Sequence, residues 1–324
     1  MDPLAGPRPL LFLAPMAGVT NTVFRRLCKD LGADVLTTEF VSAEGILHRN
    51  ERTSRYLEFQ SDERPLGVQL FGADPDRLAE AVKAVIDWVS PDFIDLNFGC
   101  PVNKVVSRNG GSALLKDCPL LANVARSVVA AANGLPVTAK IRIGWDSRSV
   151  NAVETSRILE GEGISRLAVH GRTKEQGYSG EADWEVIASV VQAVKIPVIG
   201  NGDIDSATVA LERWRQSGAA GIMIGRAAMN HPWIFREIRA ALSWQASECV
   251  TLADKWAFIE NHCAKEIDWW KGQEAQAMKS MRARLMAYTR GLPSGARLRE
   301  RLQRVETLAG LREIASDHIG GNAS

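Results

Sequence analysis

Cys100 is the first residue whose setting suggests chemistry. It sits in Asn97-Phe98-Gly99-Cys100-Pro101, directly after the apolar run Phe93-Ile94-Asp95-Leu96. Gly99 permits backbone angles that other residues avoid, and Pro101 stiffens the far side. A thiol held on such a turn can donate a proton or act as a nucleophile. Its ordinary pKa near about 8.5 keeps it mostly protonated at neutral pH. The competing assignment is a buried structural cysteine, a common fate of free thiols. Asn97 beside it, and the glycine-rich tail Gly110-Gly111-Ser112, favour the chemical role. The stretch from Val102 to Gly111 has the length and glycine content of a lid.

Further polar groups interrupt apolar runs in the same way. Lys140 lies in Val137-Thr138-Ala139-Lys140-Ile141, where a lysine is costly unless it faces an anion or a ligand. Its alternative is an ion pair with Asp95 or Glu39. His170-Gly171-Arg172 ends another run, and Gln69 sits within Leu66–Phe71. Asn201-Gly202-Asp203 and Gly225-Arg226 are turns whose glycines let backbone N–H groups approach a phosphate, with Arg226 adding a charged fork. Pro15-Met16-Ala17-Gly18 follows the first apolar run.

These residues need a scaffold that aims them at one point. Eight short apolar runs recur: Leu10–Ala14, Asp34–Thr38, Leu66–Phe71, Phe93–Asn97, Val137–Arg142, Arg166–His170, Ile196–Gly200 and Gly221–Ile224. Most are near-continuous in Val, Ile and Leu, the pattern of parallel strands covered on both faces. Helix candidates lie between them, with start signals at Thr20, Asp74-Pro75 and Asp205-Ser206. Eight such repeats over roughly 240 residues predict a (β/α)₈ barrel, a TIM-type α/β fold. A doubly wound sheet is the alternative, but no Gly-x-Gly-x-x-Gly follows the first run. In a barrel, strand ends share the C-terminal mouth, and the last two turns take phosphate. The polar residues above then converge on one large, phosphate-bearing ligand.

The chain has 324 residues, 46% hydrophobic and 24% charged, with a net charge of +1. That is ordinary for a globular protein, and no apolar run reaches the ~18 residues of a membrane helix. The start, Met1-Asp2-Pro3-Leu4, lacks signal-peptide features, and the five scattered cysteines form no Cys-x-x-Cys pair. Reduced thiols, a cytoplasmic location and no metal site are the expectations.

The motifs resemble those of the tRNA-dihydrouridine synthases. The resemblance rests on Leu13-Ala14-Pro15-Met16-Ala17-Gly18-Val19-Thr20, Val68-Gln69-Leu70, Asp95 to Pro101, Val169 to Thr173, Ile199 to Ile204 and Met223-Ile224-Gly225-Arg226, from about Leu10 to Glu237. It implies an FMN-dependent barrel that uses NADPH to reduce uridines in tRNA to 5,6-dihydrouridine. It further implies that Pro15, Met16 and Ala17 line the isoalloxazine, and that Gln69 and Lys140 bond its polar edge. His170 is a further cofactor contact. Asn201, Gly202, Asp203, Gly225 and Arg226 hold the ribityl chain and phosphate. By the same resemblance Cys100 would be the general acid that protonates uracil C5 after hydride reaches C6, while Asn97 and Arg172 would contact the uracil.

Past Leu242 the character changes. Residues 1–242 are assigned to the barrel and 243–324 to a helical domain, with helices expected over Ala253–Trp270, Gln273–Arg290 and Ala296–Ile314. Lys279, Arg282, Arg284, Arg290, Arg297, Arg299, Arg301 and Arg304 cluster there, opposed within the same stretch only by Glu300. Such a cluster in a near-neutral chain is the footprint expected of a nucleic-acid surface, with a solvated helical face as the alternative; the resemblance implies that the nucleic acid is tRNA. Trp269-Trp270 is read as core, with a stacking platform as the alternative. A monomer is expected. Two other functions compete: an FMN barrel reducing a small pyrimidine-like metabolite, and an RNA-binding protein without turnover.

Overall fold

A computed structural model describes residues 8–49, 51–101, 110–292 and 295–321. Its strands are β1 (Leu10–Leu13), β2 (Leu36–Thr37), β3 (Val41–Ser42), β4 (Leu66–Phe71), β5 (Phe93–Phe98), β6 (Val137–Arg142), β7 (Arg166–His170), β8 (Val198–Asn201) and β9 (Gly221–Ile224). They pair in parallel in the order β1-β9-β8-β7-β6-β5-β4-β2, and β3 also pairs with β4. The ring closes through a parallel bridge from Phe12 to Val35. Helices cover the outside, as the apolar, two-sided strands require. The expected (β/α)₈ barrel is thus present.

Two local expectations are corrected. The run Asp34–Thr38 was expected as one strand; the structure divides that wall between the two-residue β2 and β3, each paired to β4. The helix after β1, Thr22–Asp30, is capped by Asn21, whose side chain accepts from Phe24 N, and not by Thr20. Thr20 Oγ1 instead accepts from Met16 N at 2.9 Å and donates to Met16 O at 3.2 Å. Its hydroxyl closes the turn that carries Met16 to Gly18. Asp74 and Ser206 cap the helices Pro75–Val89 and Ala207–Ser217 as expected.

The barrel interior is filled from Phe12, Ala14, Val35, Phe93, Ala168, Ile199 and Met223. A second apolar cluster lies between strands and helices and runs on into Trp256, Ile259, Met278, Met281 and Leu285 of the C-terminal region. That region holds helices Leu252–Trp269, Glu274–Tyr288, Gly295–Gln303 and Leu308–Gly320. The third expected helix is therefore two. Thr307 starts the second by accepting from Gly310 N, and Glu274 Oε1 takes up Leu308 N at 2.7 Å. No described helix is long and apolar enough to cross a membrane.

Candidate active site

Strand register sorts the inward side chains into rows. The deepest row aligns Gln69, Asp95, Thr138 and Arg166, the next aligns Asn97 with Lys140, and the top row aligns Arg142, His170 and Asn201. Alternate residues of a strand share a face, so these three rows point into the barrel one above another.

A chain of hydrogen bonds climbs from the deepest row to the cysteine. Thr138 Oγ1 donates to Asp95 Oδ1 at 2.5 Å, and Gln69 Nε2 donates to Asp95 Oδ2 at 2.6 Å. Asn97 Nδ2 donates to Gln69 Oε1 at 2.8 Å. The Asn97 Oδ1 then accepts from Gly99 N at 3.1 Å and Cys100 N at 2.8 Å. Burial pushes the Asp95 carboxyl above the ordinary carboxylate range, against the bonds from Thr138 and Gln69 that pull it down. Each amide orientation in this chain is dictated by the group below it. Cys100 is buried, and its carbonyl accepts from Ser112 N at 3.2 Å and Ser112 Oγ at 2.9 Å. The cysteine is therefore held by backbone contacts on both sides of the turn. Of the lid expected over Val102 to Gly111, residues 102–109 lie outside the described residues.

Lys140 is part-buried and donates to Asn201 Oδ1 at 3.1 Å, while Asn201 Nδ2 donates to Met223 O at 2.8 Å. Its ion-pair alternatives are not realised as contacts: Glu39 accepts from Gly18 N at 2.6 Å, and Asp95 is engaged below. Burial, then the Arg142 charge, lowers the Lys140 ammonium to about 8. His170, buried one row above, is pushed down by burial and then by Lys140, Arg142, Arg172 and Arg226, which keeps it neutral. The mouth is strongly electropositive.

The turn after β8 supplies a counter-charge. Gly202 has φ of 129° and Asp203 of 49°, so two successive residues take the left-handed side of backbone space. A Cβ on Gly202 would lie 2.5 Å from that of Ala182, and Trp184 Nε1 donates to Gly202 O at 3.0 Å. The twist turns Asp203 back toward Arg172, which donates to both of its carboxylate oxygens at 2.8 Å. Arg226, at the β9 exit beyond Gly225, also donates to Asp203, at 3.1 Å. Arg172 is only 2% exposed and spends its other donors on Ser179 O and Gly180 O. Cations still outnumber carboxylates here, which fits an anionic ligand such as a phosphate. A Cβ on Gly225 would lie 3.5 Å from Ala14 Cβ and 3.7 Å from Met16 Sδ, so the turn that begins Pro15-Met16-Ala17 abuts the β9 exit.

Sequence reasoning did not single out Arg142 or the buried pairs behind the site. Arg142 closes the β6 run, and a charged residue at a strand exit was a signal available for it. It donates to Gly99 O at 3.0 Å, next to the cysteine. Arg25, fully buried, donates to Glu63 Oε2 at 2.6 Å and to Thr20 O at 2.7 Å, steadying the turn after β1. That pair spans distant segments and has no local signature.

A (β/α)₈ barrel with a positively charged mouth and a thiol at a strand exit is the arrangement of a barrel enzyme whose site lies at the C-terminal face of the strands. The family model described as Dihydrouridine synthase (Dus) matches residues 12–323, so the chain belongs to the dihydrouridine synthase family. It is 39% identical over 91% of its length to tRNA-dihydrouridine synthase B of Pseudomonas aeruginosa, covering 88% of that protein. It is 45% identical over 70% of its length to tRNA-dihydrouridine synthase B of Pseudomonas syringae pv. tomato, covering 67% of it. A probable tRNA-dihydrouridine synthase of Rickettsia conorii is 38% identical over 89% of this chain and 87% of its own.

Proposed function

We propose that this protein reduces uridine in tRNA to 5,6-dihydrouridine, with FMN as cofactor and NADPH as reductant. The observation that carries the reading is Cys100, fixed through Asn97 and Gln69, in a mouth whose charge is set by Lys140, Arg142, Arg172 and Arg226. Reduced FMN, when bound, supplies hydride to uracil C6. Lys140 would supply a cation to the cofactor's anionic edge, and Gln69, whose amide already bonds Asp95 and Asn97, would give its remaining N–H to the same edge. Asn201, Gly202, Asp203, Gly225 and Arg226 form the phosphate end, with Asp203 orienting Arg226. His170 is neutral and serves as a hydrogen-bonding contact to the cofactor. Arg172, bound to Asp203 and two carbonyls, shapes the uracil side chiefly by holding that loop. Cys100 Sγ delivers its proton to C5, and the thiolate left behind is reprotonated from solvent. Residues 1–242 carry this chemistry, and 243–324 help hold the RNA.

Separate half-reactions test the assignment. The purified protein should be yellow, with one FMN per chain, and NADPH should bleach it. Cys100→Ala should bleach at the wild-type rate, then be reoxidised by tRNA about 10²–10⁴-fold more slowly, the contribution of a positioned acid. Cys118 donors and acceptors lie outside the mouth, near Asn151, so Cys118→Ala is the control. Normal reoxidation of Cys100→Ala by tRNA would move the acid elsewhere.

A further inference from the structure

The loop after β7 carries Tyr178, 61% exposed, on a backbone that is anything but loose. Arg142 reaches up from the β6 exit and donates to Thr173 O at 2.7 Å and Gly177 O at 2.9 Å. Arg172 holds the far side through Ser179 O at 3.1 Å and Gly180 O at 2.5 Å. Both guanidiniums are buried, and Tyr178 stands between their anchoring points. Arg142 also donates to Gly99 O, so one side chain joins the tyrosine's loop to the cysteine's turn. The Arg226 guanidinium lies 4.7 Å from the Tyr178 ring centroid, and that of Arg142 5.9 Å. Loop residues Lys174 and Glu175 donate their N–H groups to Gly144 O and Trp145 O, tying in the neighbouring loop. There Trp145 lies between Lys116 at 4.6 Å and Lys174 at 4.4 Å.

A large ring left in water on a pinned loop, backed by cations, has no folding role that explains it. Aromatic faces interleaved with cations suit successive bases and phosphates of a single strand. Pinning removes the ordering cost that a mobile loop would add on binding. We propose that Tyr178 is a stacking platform for a nucleobase flanking the uridine delivered to Cys100, with Lys116, Trp145 and Lys174 continuing the same RNA track. The proposal rests on the tRNA reading above and adds to it where the strand lies and how it is gripped.

The test compares holoenzyme carrying Tyr178→Ala or Tyr178→Phe with wild type, using unmodified tRNA at several salt concentrations. The Ala variant should bind about 5- to 150-fold more weakly, the range of a single base–aromatic stack, and Phe should restore affinity. The salt slope should stay unchanged, because no phosphate-neutralising charge is removed. Equal tRNA affinity in wild type and Tyr178→Ala would overturn the platform. Slower bleaching by NADPH with tRNA affinity intact would also overturn it, giving the ring to the dinucleotide instead. A wild-type protein that binds no tRNA would instead sink the tRNA reading, and the platform with it.

Discussion

Lys140 is the residue whose electrostatics are most exposed to experiment. Its ammonium is held at about 8, against an ordinary 10.5, by burial and by Arg142. A lysine with a lowered folded-state pKa costs stability while it is charged in the fold. That cost is present in full below pH 8 and is relieved as pH rises from 8 toward 10.5, because the unfolded chain then holds a proton that the folded chain has released. In the apoprotein, Lys140→Met should therefore melt higher than wild type near pH 7, with the gap closing by pH 10. An anion bound beside Lys140 should restore its proton, so FMN binding above pH 8 should take up close to one proton. Calorimetric titration in two buffers of different ionisation enthalpy measures that uptake. Its absence, or its survival in Lys140→Met, would separate Lys140 from the anion. The Asp95–Gln69–Asn97 chain belongs to the same scale, since each link is a single hydrogen bond whose direction depends on the one before.

Among the elements, the helices Leu252–Trp269 and Glu274–Tyr288 are fastened to the turn after β1. Arg284 Nη1 donates to Glu266 at 2.6 Å and Nη2 to Val19 O at 2.7 Å, and Asn21 Nδ2 donates to the same Glu266 oxygen at 2.6 Å. Arg284 is only 6% exposed, so its expected place in an RNA-binding cluster is corrected. The spacing of arginines along a helix does not say which one meets a buried glutamate on its neighbour. Removing one partner strands the other charge in the interior, so Arg284→Ala should cost roughly 3–5 kcal/mol. Replacing Arg284 and Glu266 together by leucines should cost less than either single change to alanine. Urea denaturation resolves both. An Arg284→Ala midpoint equal to wild type would mean that the contact carries no stability.

At the scale of the molecule, a cleft of about 510 Å³ separates the β9 exit from the helical region, lined by Arg226, Met229, Met286, Arg290 and Arg299 among others. Arg290 and Arg299 come from the basic cluster and Arg226 from the barrel, so the cleft unites the two charged surfaces. Arg290→Glu with Arg299→Glu should weaken tRNA binding and flatten its salt dependence by about two phosphate contacts. Fluorescence titration from low to high salt reads both effects. An unchanged slope would place the RNA path away from this cleft.

The barrel was legible because its signal is local and repeated. Eight short apolar runs with helix starts between them admit few other folds, and polar residues at their ends identify a mouth. The candidate site was legible for a related reason: Asn97, Lys140, His170 and Asn201 stand out as polar interruptions of apolar strands, and Cys100 follows one of them on a Gly-Cys-Pro turn. Partner choice was not. Asp203 could have faced a ligand, yet two left-handed residues turn it onto Arg172. Arg284 could have faced solvent, yet helix packing buries it against Glu266. Nothing local marks Tyr178, which two buried arginines, 36 and 6 positions before it in the chain, hold on a fixed loop. Alone, the sequence determines periodicity and residue chemistry, because both reside in neighbouring residues. Which charge meets which is decided only when the fold brings distant segments together and removes the water between them.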